Sequence, residues 1–93
     1  MSNRKSALRR NVTIINELGL HARSAAKIAE LANQSTSSVW ITRDDQKADA
    51  SSIVDILTLA CEKGTRIEIC IENKVDLHIL ENITKLIESG FGE

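Results

Sequence analysis

Residues 65–72, TRIEICIE, carry the clearest structural signal in the sequence. Isoleucine occupies positions 67, 69 and 71, and the positions between and beside them are charged or carry cysteine. This alternation predicts a β-strand with one face on a hydrophobic core and the other in water. Such a strand is typical of an antiparallel sheet that is covered on one side only.

Three more strands are predicted upstream of this segment. NVTIIN at 11–16 and SVWITR at 38–43 are rich in β-branched residues, and the second places Val39 and Ile41 on one face. DDQKADA starts with a turn at residues 44–45 and predicts a short strand around 47–50.

Helical spacing of apolar residues separates these strands. It predicts helices over residues 21–33, 53–61 and 75–88, and the first has an alanine-rich face that can lie close to a sheet. The resulting order is β-α-β-β-α-β-α. We therefore expect an α+β fold, an open-faced β-sandwich in which three helices pack on one side of a four-stranded antiparallel sheet.

Length and charge limit the domain organisation. The chain has 93 residues and a net charge of −1, which fits one small domain and does not suggest a general polyanion binder. Residues 1–10 contain Arg4, Lys5, Arg9 and Arg10, and we interpret them as a basic tail before a single domain at 11–93. A nucleic-acid-binding arm is the alternative, although no aromatic residue accompanies these charges.

The cysteines and the hydropathy indicate a cytoplasmic protein. Cys61 and Cys70 lack the spacing of a redox or zinc motif, so we expect reduced thiols and no metal site. The first residues have no apolar segment typical of a signal peptide, and no apolar run approaches membrane-spanning length.

The stretch GLHARSA at 19–25 is the strongest candidate for chemistry. Gly19 ends the first strand with a turn, and His21 falls at the start of the first helix. Unpaired N–H groups at a helix start attract anions and disfavour a protonated imidazole, and Arg23 adds a permanent cation. Two interpretations fit: a histidine that receives a phosphoryl group, or a helix-capping and packing histidine. Since the chain lacks a nucleotide-binding motif, a phosphoryl donor would have to be another protein.

GLHARSAAKIAELA, followed by KADASSIVDILTLACEKGTRIEI, resembles HPr, the family of histidine-containing phosphocarriers of the bacterial phosphoenolpyruvate-dependent phosphotransferase system. The resemblance covers about residues 11–92 and implies the same order of strands and helices. It further implies that His21 accepts the phosphoryl group on Nδ1 and that Arg23 binds the phosphate. The helix start at Ala22 and Ser24 would complete the phosphate site.

By the same resemblance, the chain receives the phosphoryl group from enzyme I and passes it to a histidine of an enzyme IIA type protein during sugar transport. It would act as a monomeric carrier rather than an enzyme, without a metal or cofactor. The alternative is a regulatory binding module that is controlled at Ser52 and not coupled to sugar transport. A small nucleic-acid binder that uses residues 4–10 is a third interpretation.

Ser52 also has two interpretations. The spacing Ser52-x-x-Asp55 is typical of a helix capping box, which accounts for the serine on structural grounds alone. The resemblance instead places Ser52 at the family's regulatory serine, the substrate of a serine kinase/phosphorylase in some bacteria.

A partner-docking surface is predicted beside His21, formed by Leu20, Ile53, Val54 and Leu57. The alternative is that the second-helix residues pack under the third helix. The sequence also departs from the family pattern: Ser24 replaces a proline, Asp55 replaces a glycine or lysine, and Ala60 replaces a common glycine. These departures, with the basic N-terminal extension, point to a specialised or nitrogen-related paralogue.

Overall fold

The computed structural model describes residues 7–93. Its strands are β1 (Arg9–Thr13), β2 (Val39–Arg43), β3 (Gln46–Asp49) and β4 (Arg66–Ile71). Its helices are α1 (Ala22–Ala32), α2 (Ile53–Leu57) and α3 (Leu77–Glu88), with short 3₁₀ turns at Lys74–Asp76 and Gly90–Gly92.

The four strands form one antiparallel sheet in the order β1-β4-β2-β3. The alternating segment at 65–72 becomes β4, a central strand, and its isoleucines are buried. Apolar residues of α1 and α3 join these isoleucines in one hydrophobic core. The predicted α+β fold with three helices on one side of the sheet is therefore confirmed.

The first strand corrects the predicted tail boundary. β1 begins at Arg9 rather than at residue 11, and it pairs with β4 from Arg9 opposite Cys70 to Thr13 opposite Arg66. The Arg9 guanidinium lies 3.3 Å from Glu68, and that of Arg10 lies 2.6 Å from Glu81. These two arginines thus belong to the domain, and the tail prediction for residues 1–6 lies outside the described residues.

The second helix is shorter than predicted, because it ends at Leu57 instead of residue 61. Ala60 then adopts a left-handed φ of 52°. The Arg43 guanidinium donates to the carbonyl oxygens of Leu59 and Ala60, at 2.9 and 2.7 Å, and so caps the end of this segment. The left-handed backbone explains why glycine suits position 60.

A buried carboxylate joins the end of α1 to the start of α3. Asp76 accepts hydrogen bonds from the backbone N–H groups of Thr36 and Ser37, at 2.9 and 3.1 Å, and from the Thr36 hydroxyl. The Thr36 N–H makes the largest contribution to holding the pKa of Asp76 below its ordinary value. The ionised carboxylate therefore fixes the loop that precedes β2.

Trp40 lies on the side of the sheet that faces away from the core, opposite Cys70 of β4. Its Nε1 donates to Glu72 at 3.0 Å, and the Lys47 ammonium lies 4.4 Å from the ring centroid.

Both cysteines are free thiols, and burial raises the pKa of Cys61.

Candidate functional site

The turn before α1 depends on a close backbone contact at Gly19. Its φ is 66°, and a Cβ at this position would overlap the Cys61 carbonyl oxygen and lie 2.7 Å from Glu62 Cα. The next N–H, of Leu20, donates to the same carbonyl oxygen at 2.8 Å. The segment after α2 therefore supports the backbone that presents His21.

His21 is the N-cap residue of α1. Its Nδ1 accepts a hydrogen bond from the Arg23 N–H at 3.3 Å, and its own N–H donates to the Ser24 hydroxyl at 3.0 Å. The imidazole thus occupies the place where a helix start offers its unpaired donors. The capping interpretation of His21 is confirmed, and it is compatible with a phosphoryl acceptor at the same atom.

Ser24 has a different role from the one predicted. It is fully buried, and its hydroxyl donates to the Gly19 carbonyl oxygen at 3.0 Å. The hydroxyl therefore cannot contact a phosphate at the surface, because it holds the turn and completes the cap. This capping function also accounts for a serine at a position where the family has proline.

The electrostatics of this helix start favour an anion. Ala22 and Arg23 are exposed, and the first turn of α1 contains no acidic residue. Among the residues that the structure describes, the Arg23 guanidinium forms no ion pair. The Arg23 side chain and the positive end of the helix dipole therefore both belong to the helix start that His21 caps.

Two residues that the sequence analysis did not identify complete the site. His21 Nε2 lies 2.8 Å from the Glu93 carboxylate, and the Asn16 amide donates to the other carboxylate oxygen at 3.0 Å. These hydrogen bonds, from Asn16 first and then from His21, hold the pKa of Glu93 below its ordinary value. No local pattern links residues 72 positions apart, so this contact could not be predicted from the sequence.

A buried aromatic ring brings Glu93 to the histidine. Phe91 is buried, although its φ of 60° is unusual for a residue with a side chain, and the flanking Gly90 and Gly92 have φ values of 69° and 74°. Lys27 of α1 donates to the Phe91 carbonyl oxygen at 2.8 Å. This left-handed segment turns the chain from the end of α3 back toward α1.

The predicted docking surface is only partly formed as expected. Ile53, Val54 and Leu57 are 39%, 74% and 38% exposed, so they do not pack under α3. Leu20 is instead a core residue with 7% exposure, and its assignment to this surface is corrected. Leu18, 68% exposed and three residues before His21, is an apolar surface residue that the sequence analysis missed.

Ser52 caps α2, as the spacing predicts, by accepting from the Asp55 N–H at 3.1 Å. The reciprocal half of the predicted capping box is absent, because the Asp55 carboxylate accepts from the Asp49 N–H at 2.7 Å. Asp49 in turn accepts from the N–H and hydroxyl of Ser51. Two carboxylates therefore surround this helix start.

Within residues 7–93, no three His, Cys, Asp or Glu side chains are grouped as metal ligands. Over the same range, no helix has the length and apolar character needed to cross a membrane.

Comparisons with known proteins identify the family of the chain. The family described as the PTS HPr component phosphorylation site matches residues 8–89. The phosphocarrier protein HPr of Neisseria meningitidis serogroup A is 38% identical over 86 residues, which cover 92% of this chain and 97% of that protein. The phosphocarrier protein NPr of Shewanella violacea is 36% identical over 86 residues, which cover 92% and 94%.

A solved structure extends the likeness to three dimensions. HPr-C-His from Thermoanaerobacter tengcongensis superposes with a TM-score of 0.86 at 33% identity, over 91% of this chain and 96% of that one. The family match spans nearly the whole domain, and the phosphocarrier relatives share its fold. The chain therefore belongs to the HPr family of phosphocarrier proteins of the phosphotransferase system.

Proposed function

We propose that this chain accepts a phosphoryl group on Nδ1 of His21 from phosphorylated enzyme I and delivers it to a histidine of an enzyme IIA type protein. The position of His21 supports this proposal most directly. The imidazole caps α1 beside the exposed Arg23, in a first turn without acidic residues. A phosphoryl group on Nδ1 would meet backbone N–H donors and a guanidinium together.

The transfer requires one local exchange of hydrogen bonds. The Nδ1 lone pair attacks phosphorus, and the P–N bond of the donor's phosphohistidine breaks with its electron pair returning to the donor nitrogen. The Arg23 N–H, now 3.3 Å from Nδ1, is freed to donate to a phosphoryl oxygen. The Arg23 guanidinium stabilises the charge on the other oxygens, as donors to transferring phosphoryl groups do.

Partner recognition is proposed at the apolar surface of α2 formed by Ile53, Val54 and Leu57. These exposed side chains belong to a helix that packs against α1, the helix that carries His21. A small apolar surface fits brief encounters, because a carrier must leave each partner after transfer. We propose that the carrier is a cytoplasmic monomer that turns over no free substrate.

Ser52 remains a second candidate for control by a serine kinase/phosphorylase. The residue is half-buried rather than buried, which would allow modification. However, a phosphate there would approach the carboxylates of Asp55 and Asp49, which already neutralise this helix start. We therefore propose that Ser52 acts mainly as a helix cap. A regulatory binding module controlled at Ser52 is the second candidate function.

The decisive experiment is phosphorylation by enzyme I. The purified chain is incubated with enzyme I, Mg²⁺ and phosphoenolpyruvate, and intact mass is recorded before and after mild acid. We expect one acid-labile phosphoryl group per chain, its absence in His21→Ala, and its retention in His78→Ala, which removes the other histidine. An acid-stable modification, or labelling that survives His21→Ala, would contradict the proposal.

Delivery needs a second measurement. Phosphorylated chain, separated from enzyme I, is mixed with enzyme IIA type proteins from the same bacterium. The phosphoryl group should move to one of them within seconds to minutes. A sugar-specific acceptor would support sugar transport, whereas a nitrogen-related acceptor would support the specialised paralogue.

A further inference from the structure

We propose that Glu93 is a positioning residue: held by Asn16, it fixes the proton of His21 on Nε2 and leaves the Nδ1 lone pair free for phosphorus. The tautomer is a property of the resting chain, whereas its benefit for transfer rests on the proposed function. Neither residue belongs to the helix that carries His21.

The hydrogen bonds at the two ring nitrogens agree on one tautomer. Nε2 lies 2.8 Å from a Glu93 carboxylate oxygen, and an ionised carboxylate only accepts, so Nε2 must carry a proton. Nδ1 lies 3.3 Å from the Arg23 N–H, which only donates, so Nδ1 must present a lone pair. The neutral imidazole satisfies both contacts only as the Nε2–H form.

Asn16 holds the carboxylate in this position. Its side-chain nitrogen donates to Glu93 at 3.0 Å and to the Gly19 carbonyl oxygen at 2.9 Å, so both amide protons are used. If the Asn16 amide were rotated by half a turn, its oxygen would face the Glu93 carboxylate and the Gly19 carbonyl oxygen, which are both acceptors. The amide oxygen, buried and without a partner among the described residues, is left unsatisfied by this orientation.

The backbone of residues 90–92 places Glu93 beside His21. The buried Phe91 ring and the Lys27 hydrogen bond to its carbonyl oxygen fix the chain two residues before Glu93. An unusual left-handed φ at a buried aromatic residue persists only where surrounding contacts hold it. This anchor does not involve the Glu93 side chain, so substitutions at position 93 can test the carboxylate alone.

The Nε2–H tautomer also accounts for the return step, in which the phosphoryl group leaves His21. When Nδ1 bonds to phosphorus, Nε2 keeps its proton, and the Glu93 carboxylate faces a ring that has become more positive. When the phosphoryl group leaves, the P–Nδ1 electron pair returns to Nδ1 and the same tautomer is restored. No proton enters or leaves the ring in a full cycle, and a partner needs to supply neither acid nor base to it.

The first test reads the tautomer in the unphosphorylated chain. Long-range ¹H–¹⁵N spectra of the uniformly labelled protein, at a pH where the ring is neutral, distinguish Nδ1–H from Nε2–H. We expect wild type to be almost entirely Nε2–H, and Glu93→Gln and Glu93→Ala to show a measurable Nδ1–H fraction. Glu88→Gln, an exposed acid of α3, is the matched control and should leave the spectrum unchanged.

The second test measures the rate of phosphoryl transfer from enzyme I to the same variants. Hydrogen-bond partners that orient metal-binding histidines contribute about 10- to 100-fold. By analogy, Glu93→Ala should be slowed at least about 10-fold, with little change in the partner concentration needed for half-maximal rate. Asn16→Ala, with its fold checked by circular dichroism, should be slowed by a smaller factor than Glu93→Ala.

The outcomes are separable from the proposed function. An Nδ1–H tautomer in wild type, or a Glu93→Gln variant with wild-type tautomer and rate, overturns the inference. A chain that accepts no phosphoryl group from enzyme I contradicts the proposed function, and the tautomer spectra then still decide whether Glu93 positions the ring.

Discussion

The starts of α1 and α2 are built alike and differ in charge. Each is capped by a side chain on an extended residue, His21 in one and Ser52 in the other. The first turn of α1 has Arg23 and no acid, whereas that of α2 contains Asp55, which bonds to the backbone of Asp49. The two helix starts therefore offer opposite electrostatic surroundings to an incoming phosphate.

This difference teaches that a helix start alone does not make an anion site. The partial positive charge of a helix N-terminus is satisfied in α2 by the protein's own carboxylate. In α1 the first turn contains no acid, and the Glu93 carboxylate bonds to Nε2, so the Nδ1 side of the imidazole is left for an outside group. We expect the following changes to break or sharpen the contrast.

Gly19→Ala should have the largest effect, because it breaks the support of the α1 start. The new Cβ would overlap the Cys61 carbonyl oxygen at a left-handed φ. We expect a loss of about 3 kcal/mol in the free energy of unfolding, measured by urea denaturation, and strongly reduced phosphorylation of His21.

Gly64→Ala is the matched control for this change. Gly64 has a φ of 93° but open space around a Cβ, so it tests backbone strain without overlap. It should lose only about 1 kcal/mol and keep His21 phosphorylation. Equal losses in the two variants would mean that the contact with Cys61 does not support the site.

Arg23→Ala should remove the cation that distinguishes the α1 start. Loss of one donor to a transferring group typically slows transfer about 100-fold, and stability should change little because the side chain is exposed. The readout is the initial rate of phosphorylation by enzyme I under single-turnover conditions. Arg66→Ala, an exposed arginine of β4, should retain the wild-type rate; equal slowing in both would indicate a general charge effect.

Ser52→Asp should have the smallest effect and measures the acidic surroundings of the α2 start. Aspartate caps helices as well as serine, so the cap survives, while repulsion from Asp55 should cost about 0.5 kcal/mol of unfolding free energy. Ser52→Ala, which removes the cap, should lose about 1 kcal/mol. Neither should change the rate of His21 phosphorylation. A Ser52→Asp chain more stable than wild type would show that an added negative charge still stabilises the α2 start.

The fold was largely predictable because its signals are local. Alternation at 67, 69 and 71 identified the central strand, and helical spacing placed α1 and α3 to within a few residues. The shorter α2 was missed because its end is set by Arg43, a residue of β2, and by the left-handed Ala60. The early start of β1 was missed because arginine does not signal a strand, although Arg9 and Arg10 find partners there.

Only the part of the site that is contiguous in sequence could be predicted. GLHARSA indicates a histidine at a helix start with a nearby cation, and those residues lie together. Glu93 and Asn16 join them through the fold, and Ser24 turns inward because its hydroxyl finds two backbone partners. The Gly-Phe-Gly segment at 90–92 was a usable hint, since the only phenylalanine of the chain lies between two glycines.

The position of Trp40 gives the molecule a convenient optical property. It is the only tryptophan, the chain has no tyrosine, and the indole lies on the sheet face that points away from the helices and from His21. Lys47 and Glu72 contact the indole in the folded sheet, so we expect its fluorescence to change when unfolding removes these contacts. We expect the emission to follow unfolding and to change little with charge gained at the histidine, so that the stability of phosphorylated and unphosphorylated chains can be compared on one scale.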